Sequence, residues 1–217
     1  MTISHEAIYM HIYSHPQASL NRKLIKLLPY QKSRRRKPKP RRKKGFKIRD
    51  QVNISKRPKH IENRQEIGHW EGDLIIGKAQ KSAIGTIVER KSRYTLIIGL
   101  KDKTTKSVTR AFAKELNRFD NHLTKTMTYD NGMEMADHKW LTNNTGIKVY
   151  FANPYASWER GTNENTNGLI RRFLPKKIDF KNVDMTQLKM IQYKLNNRPR
   201  KVLGYKTTLE VLELNST

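Results

Sequence analysis

The run Trp70-Glu71-Gly72-Asp73-Leu74-Ile75-Ile76-Gly77 has the length and apolar character of a β-strand, yet it carries two acidic side chains. Two further β-rich runs follow, over residues 82–90 and 94–100, and short turns containing Lys and Ser join the three. This spacing predicts three antiparallel strands connected as hairpins. A carboxylate within an apolar strand is costly to bury without a partner. Asp73 therefore indicates either an ion pair with a Lys or Arg or a functional site.

Beyond the hairpins, helical and strand patterns alternate. The predicted elements are helices over 104–119, 134–143 and 161–173 and strands over 125–129 and 147–151. This order predicts an α/β fold with a mixed sheet, in which three antiparallel strands are extended by two more and flanked by helices. Further helices are predicted from Asp184 to the residues before Pro199 and from Thr207 or Thr208 to Leu214.

The composition indicates a polyanionic partner. The 217 residues carry a formal charge of +26 with a pI near 10.3, which points most simply to nucleic acid. Cysteine is absent, which excludes a disulfide framework and a thiolate metal site. No signal-type stretch begins the chain, and no run approaches the roughly 18 apolar residues of a membrane span. The expectation is a soluble protein of a reducing compartment, with no membrane partner.

Most of the excess charge lies in the first 60 residues, which hold 18 Lys and Arg against two acids. Between Arg34 and Lys44, nine of eleven residues are basic and the other two are prolines. Like charges at this density repel and proline interrupts a helix, so we predict a flexible linker that lies along phosphates when DNA is present. If about 6 of its charges neutralise phosphates, the log–log salt dependence of binding has a slope of roughly −5. The predicted DNA contacts here are Arg34, Arg35, Arg36, Arg41, Arg42, Lys43 and Lys44.

Asp73, Asp130 and Glu164 are the candidate catalytic residues and metal ligands. Asp130 ends the fourth strand before the turn pair Asn131-Gly132, so it meets Asp73 at one end of the sheet if strands one and four are neighbours. Glu164 comes from a helix whose polar face includes Asn167. Three carboxylates from three elements suit Mg²⁺ (or Mn²⁺), and we predict two ions about 3.5–4 Å apart.

Other roles remain open for the same residues. Asp130 can be an ordinary turn residue, and Glu164 a solvated helix charge or part of the helix cap. Glu71 can be an acceptor that supports the site, and Glu159 is expected to pair with a base. His69 can orient a metal-bound water or a phosphate, or have a structural role.

The predicted DNA contacts outside the linker have alternatives of their own. Trp158 precedes the third helix in a loop, where it can stack on a base or pack against the protein. Arg171 and Arg172 can hold phosphates or simply form an exposed basic helix end. Asn167 shares the helix face of Glu164, where DNA is expected to approach.

Four segments in order resemble the conserved motifs of bacterial insertion-sequence transposases of the DDE (Asp-Asp-Glu) class with a GHWEGD motif. The first two are Gly68–Gly77 and Thr128–Gly132, and the third combines Phe151–Tyr155 with Trp158–Asn165. The tail Leu195–Thr207 resembles the C-terminal pattern of that family. Thirty-three residues separate Asp130 from Glu164, as in this family. The resemblance covers roughly residues 56–212.

This resemblance implies a ribonuclease-H-like, integrase-like catalytic core that cleaves and joins DNA strands at insertion-sequence ends by two-metal-ion phosphoryl transfer. Asp73, Asp130 and Glu164 match the catalytic triad. The implied partners are transposon ends and target DNA, bound by a homo-oligomer in the bacterial cytoplasm, in association with the nucleoid. The alternatives are a truncated, non-catalytic DNA-binding regulator of a full-length transposase and a metal-dependent nuclease that never joins strands.

The resemblance also sets the expected domain organisation. Residues 1–31, with Ser4 as a helix N-cap, are expected to be the remnant of a helical DNA-binding module in an N-terminally truncated chain. The basic linker then extends over 32–60 and the ribonuclease-H-like catalytic domain over 61–178. A C-terminal helical segment over 179–217 completes the prediction.

Overall fold

A five-stranded mixed sheet with the strand order β3-β2-β1-β4-β5 organises the larger part of the chain. β2 pairs antiparallel with both β1 and β3, whereas β4 lies parallel to β1 and β5 parallel to β4. This is the predicted combination of three antiparallel strands and two further ones. The strands are β1 (His69–Ile76), β2 (Ala83–Glu89), β3 (Thr95–Gly99), β4 (Thr126–Tyr129) and β5 (Lys148–Phe151).

The computed structural model describes residues 3–28, 48–154 and 156–215 and divides into two units, Met1–Gly45 and Phe46–Thr217. The described part of the first unit is a pair of helices, α1 (His5–Ser14) and α2 (Ala18–Leu27). Ser4 caps α1 as predicted, because its Oγ accepts a hydrogen bond from the Ala7 N–H at 3.2 Å. The Asn21 side chain donates to the Ile12 carbonyl and joins the two helices. The basic residues predicted to contact DNA between Arg34 and Lys44 lie outside the described residues.

The described residues of the second unit include five α-helices besides the sheet. They are α3 (Thr105–Leu116), α4 (His138–Thr145), α5 (Gly161–Phe173), α6 (Met185–Asn196) and α7 (Thr208–Glu213). Thr104 caps α3, and Thr207 forms a capping box with Glu210 at α7. Asp184 occupies the N-cap position of α6 but makes no side-chain cap bond. α4 begins later than predicted because the buried side chain of Met135 belongs to a separate 3-10 turn.

The alternation of side chains along each strand separates two apolar layers. Ile87 and Leu96 belong to the layer that contains the α3 residue Phe112, whereas Ile84 and Ile97 belong to the layer that contains residues of α5 and α6. Helices therefore cover both faces of the sheet. The odd-numbered residues of β1 point toward α5, and Ile75 at the end of that row joins the α5–α6 layer.

The segment before β1 is folded from residue 48 onward. Ile48, Ile54 and Ile61 are buried, and the Phe151 N–H donates to the Val52 carbonyl at 2.8 Å. The part of the predicted linker over 48–60 therefore packs on the sheet beside β5, since its isoleucines find an apolar surface there. At the other end, the Asn196 side chain bonds the backbone of Thr95, so the predicted C-terminal segment over 179–217 belongs to the same unit. Among the described residues, no helix combines the length and apolarity required to cross a bilayer.

Candidate active site

Neighbouring parallel strands bring Asp73 and Asp130 together. In the register of β1 and β4, Glu71 lies beside Thr128, so Asp73 falls opposite the residue that follows Tyr129, which is Asp130. Both aspartates lie on the sheet face that α5 covers. Strands one and four are neighbours, which is the condition set for this meeting from the sequence, and the two carboxylates share one end of the sheet.

The Asp73 carboxylate contacts three groups, and its pKa is raised above the ordinary value of an aspartate. Its Oδ1 accepts a hydrogen bond from the Leu74 N–H at 2.9 Å, and its Oδ2 accepts from Asn167 Nδ2 at 2.8 Å. Burial raises the pKa of Asp73 to about 6, the Arg160 guanidinium opposes that rise, and the charge of Asp130 adds to it. A neighbouring like charge and burial both disfavour the ionised form of a carboxyl, as is usual where carboxylates share a cation.

The guanidinium of Arg160 lies between the two aspartates. Its Nη1 is 3.5 Å from Asp73 Oδ1 and its Nη2 is 3.4 Å from Asp130 Oδ2, and Nη1 also donates to the Gly72 carbonyl. The carboxylate oxygens thus face a common cationic group. Hard, negatively charged oxygens converging on one positive centre are a donor set that fits Mg²⁺ or Mn²⁺.

The turn after β4 fixes Asp130. Its Oδ1 accepts from the Gly132 N–H at 2.9 Å, and Asn131 Nδ2 donates to the Ala152 carbonyl at 2.7 Å. Asp130 therefore acts as an ordinary turn residue and also lies beside Asp73. Its other carboxylate oxygen faces Arg160.

Glu71 supports the site from the buried side. Its side chain is fully buried; Oε1 accepts from Arg90 Nη1 at 2.8 Å, and Oε2 accepts from the Asn163 N–H at 2.9 Å. That N–H belongs to the first turn of α5, where backbone donors lack helical partners. Glu71 thereby ties β1 to the start of the helix that carries Glu164, which is the supporting role considered for it from the sequence.

Glu164 lies on α5 between the two residues that face the sheet, Asn163 and Asn167. Its side chain is exposed, and in the described part of the chain it forms no hydrogen bond or ion pair. The structure thus brings Asp73 and Asp130 together and packs α5 beside them, without a direct contact from the Glu164 carboxylate. The membership of Glu164 in the site stays a prediction.

Two predicted DNA contacts are engaged within the protein. Asn167 bonds both Asp73 and the Thr86 hydroxyl, and Arg171 Nη2 donates to the Ile76 carbonyl at the end of β1. Both side chains therefore connect α5 to β1, and their contacts with DNA stay predictions. Trp158, with 75% of its surface exposed, and Arg172, also exposed, stay predicted DNA contacts.

Two further residues differ from the sequence-based expectations. Glu159 accepts from the backbone N–H and side-chain amide of Asn153, at 2.7 and 2.8 Å, and not from a basic side chain as predicted. The predicted loop before α5 is a 3-10 turn, Ser157–Arg160, and this carboxylate closes it onto the residues that follow β5. Arg160 is a residue of the site that the sequence analysis did not identify. The signal that could have indicated it was its position four residues before Glu164, one helical turn away.

A group of metal-ligand type also lies outside the predicted triad. In the part of the chain that the structure describes, His60, Glu66 and His69 place ligand atoms within 4.8 Å of one another. His69 is buried, with Nδ1 2.8 Å from Thr126 Oγ1 and Nε2 2.8 Å from Glu66 Oε2. His69 therefore contacts a threonine and a glutamate at the beginning of β1, on the same strand face as Glu71 and Asp73.

Comparison with known proteins shows similarity to transposases over almost the whole chain. The family model described as the integrase core domain matches residues 63–157. The transposase for insertion sequence element IS1086 of Cupriavidus metallidurans is 42% identical over 212 residues, which are 98% of this chain and 62% of that protein. The chain is therefore similar to an insertion-sequence transposase over almost its whole length and to the integrase core domain over residues 63–157.

Other insertion-sequence transposases show similar agreement. Transposase InsI for IS30A of Escherichia coli is 42% identical over 98% of this chain and 56% of that protein. The transposase for IS4351 of Bacteroides fragilis is 43% identical over 96% of this chain and 63% of that protein. The chain thus spans somewhat over half the length of these transposases.

A solved structure supports the fold independently. The catalytic core domain of BIV integrase superposes with a TM-score of 0.51 at 19% identity, covering 68% of this chain and 95% of that domain. The predicted ribonuclease-H-like fold is confirmed.

Proposed function

We propose that this chain is the catalytic part of a DNA transposase, which cuts and joins strands at the ends of an insertion sequence. The observation that supports this proposal most directly is the pairing of Asp73 with Asp130 across β1 and β4, with Arg160 facing both carboxylates. The integrase core domain match and the transposase relatives support the same reaction class.

Asp73, Asp130 and Glu164 would hold two Mg²⁺ or Mn²⁺ ions, with Glu164 supplied from α5. When bound, such ions activate water and stabilise the charge on the attacking and leaving oxygens of a phosphodiester. The protein's own contribution is orientation: Asn167 fixes one Asp73 oxygen, the Leu74 N–H fixes the other, and the Gly132 N–H fixes Asp130. Arg160 balances the charge of the aspartate pair.

The overall reaction consists of two phosphoryl transfers. Water first replaces the 3′ oxygen at a phosphodiester of the element end, which leaves a free 3′-OH. That 3′-OH then displaces a 3′ oxygen in the target strand, so one phosphodiester forms as another breaks. The acids act as ligands and none of them is a nucleophile, so no covalent protein–DNA intermediate is required.

DNA is the proposed substrate, and the charge of the chain suits it. The formal charge of +26 gives a long-range attraction to phosphates that is independent of sequence. The basic segment between Arg34 and Lys44 is proposed to contribute most of this attraction. Joining two ends calls for more than one subunit, so we propose a homo-oligomer on DNA.

The decisive experiment compares strand cleavage by the wild type and Asp130→Asn, using end-labelled insertion-sequence DNA and Mg²⁺. Asp137→Asn is the matched control, because Asp137 is an exposed carboxylate that forms no side-chain cap at α4. We expect cleavage by the wild type and the control, and none by Asp130→Asn. DNA affinity should be unchanged or higher in Asp130→Asn, since a charge that repels phosphate has been removed. Strong binding without cleavage by the wild type would instead favour a DNA-binding regulator.

A further inference from the structure

A second cluster of ligand-type side chains lies at the beginning of β1, remote from the paired aspartates. His69 and Asp73 are four residues apart on one strand, a separation of about 13 Å at the usual rise per residue. The cluster comprises His60 and Glu66 from the segment before β1 and His69 from β1 itself. It can therefore bind an ion without involving the transposition site.

The spacing of the ligand atoms suits a tetrahedral transition-metal ion. Glu66 Oε2 is 3.2 Å from His60 Nε2 and 2.8 Å from His69 Nε2. Two ligands that bind Zn²⁺ at 2.0–2.1 Å with a tetrahedral angle lie about 3.3 Å apart. Small rotations of the partly exposed Glu66 and His60 side chains are enough to reach that arrangement.

His69 already has the support that a ligating histidine requires. Its ring is buried and Nδ1 lies 2.8 Å from Thr126 Oγ1 on β4. In the tautomer protonated at Nδ1, Thr126 Oγ1 accepts a hydrogen bond from Nδ1–H, and the Nε2 lone pair is available to a metal. The metal would replace the proton that Nε2 shares with Glu66 in its absence.

Glu66 can serve a metal and its present partner together. Lys125 Nζ bonds Oε1, whereas both histidines approach Oε2. Oε2 is therefore the oxygen that faces both imidazoles, while Oε1 keeps its bond to Lys125.

We propose that His60, Glu66 and His69 form a binding site for a divalent transition-metal ion of the Zn²⁺ class. Two imidazoles and one carboxylate select such an ion over Mg²⁺, which prefers oxygen ligands. Because 63% of the His60 side chain is exposed, a fourth position remains open to water. The ion would fasten the segment that leads into the core to β1 and, through Thr126, to β4. Its role is therefore structural support of the strands that carry the aspartates.

The test measures Zn²⁺ binding to the full chain by calorimetry, and the coordination of Co²⁺ by its visible absorption. We expect one tight equivalent that a large excess of Mg²⁺ does not displace, and a Co²⁺ spectrum of a four-coordinate ion. His60→Ala removes a ligand that is mostly exposed, so the fold should persist. Its affinity should fall by more than the roughly tenfold loss that removal of an outer-shell partner causes. Zn²⁺ should raise the Tm of the wild type and not that of His60→Ala.

His122→Ala is the matched control, because His122 is an exposed histidine of the same unit outside the cluster. It should bind Zn²⁺ like the wild type, and so should Asp130→Asn, which separates this proposal from the proposed transposase activity. Glu66→Gln provides a second ligand variant and should also lose binding. The proposal is overturned if His60→Ala and Glu66→Gln bind as tightly as the wild type, since the ion would then lie elsewhere, for example at the neighbouring rings of His11 and His15. Absence of binding by the wild type overturns it as well.

Discussion

The Glu71 carboxylate accepts a hydrogen bond from the backbone N–H of Asn163 at 2.9 Å, and neither residue is accessible to solvent. This bond connects the strand that carries Asp73 to the first turn of the helix that carries Glu164. The second oxygen of Glu71 is neutralised by Arg90, whose side chain is also buried. The relative position of β1 and α5 therefore depends on a buried charge that must keep its partner.

Replacing Glu71 by Gln should strongly destabilise the protein. The amide can still accept from Asn163, but the guanidinium of Arg90 is left buried without a counter-charge, which costs about 3–5 kcal/mol in comparable pairs. Urea unfolding of the wild type and the variant measures the change in the free energy of unfolding. Glu115→Gln is the control, since its partner Arg118 is 62% exposed and such pairs contribute roughly 0–1 kcal/mol. Equal small losses in both variants would contradict the importance assigned to the buried pair.

Asp73→Asn should stabilise the metal-free protein at alkaline pH. The pKa of Asp73 rises from an ordinary 3.8 to about 6 in the folded state, so the folded form binds more protons between these values. The contribution of Asp73 to the free energy of unfolding is therefore largest at low pH. It falls as the pH rises through 6, by up to about 3 kcal/mol at pH 8. The asparagine removes this cost. Its amide can pair with Asn167 if that side chain flips, because the Thr86 hydroxyl can either donate or accept.

The measurement is Tm with and without the substitution at pH 8 and pH 4, in the presence of a chelator. The gain from Asp73→Asn should be present at pH 8 and nearly absent at pH 4, where Asp73 is protonated in the folded protein. Asp137→Asn, an exposed carboxyl, should show neither effect. A variant that is equally less stable at both pH values would show that its lost hydrogen bonds outweigh the charge.

The strands and most helices were predictable because their signals are local. Apolar alternation places Ile84 and Ile87 on opposite faces of the sheet, and it can be recognised from a few neighbouring residues. The same holds for helix caps such as Thr104. The meeting of Asp73 and Asp130 required only one further assumption, that strands one and four are neighbours. Glu71 can be recognised as a possible supporting acceptor because it lies two residues from Asp73 on the same strand and therefore on the same sheet face.

What the sequence did not reveal was the choice of long-range partners. Arg160 lies among 45 Lys and Arg, and its position four residues before Glu164 is too weak a signal to show that its guanidinium reaches both aspartates. The small, polar helix face of Asn167 predicts a DNA contact but does not reveal that this side chain bonds Asp73. Residues 48–60 are basic, which is why they are included in the predicted linker. They nevertheless pack beside β5, because the few isoleucines among them are buried there.

Two glycines next to the site should respond oppositely to alanine. A methyl group at Gly72 would lie 2.7 and 2.9 Å from ring atoms of Tyr129, which is fully buried between the sheet and α3. Gly72→Ala should therefore cost about 1–3 kcal/mol by overpacking and reduce strand cleavage, since β1 and β4 are displaced where they carry the aspartates. At Gly161 a methyl group meets no atom within 4 Å, and the backbone is already helical.

Gly161→Ala is accordingly the matched control and should stabilise the protein by about 0.5 kcal/mol, because alanine loses less backbone entropy than glycine. Thermal unfolding of both variants provides the comparison. If Gly72→Ala left the stability unchanged, the Tyr129 ring would be able to move without cost. The close approach of the two strands would then not constrain the site.

Trp158 should contribute to DNA affinity and little to stability. Its side chain is 75% exposed in the turn that precedes α5, two residues from Arg160. Stacking of an aromatic ring on an unpaired base is worth about 1–3 kcal/mol, so Trp158→Ala should weaken binding of single-stranded DNA roughly tenfold or more. Fluorescence anisotropy at fixed salt measures this loss, and Tyr193→Ala is the control, since Tyr193 is 67% exposed on α6. Unchanged DNA affinity together with a lowered Tm would assign Trp158 to packing instead, which is the alternative that its sequence position left open.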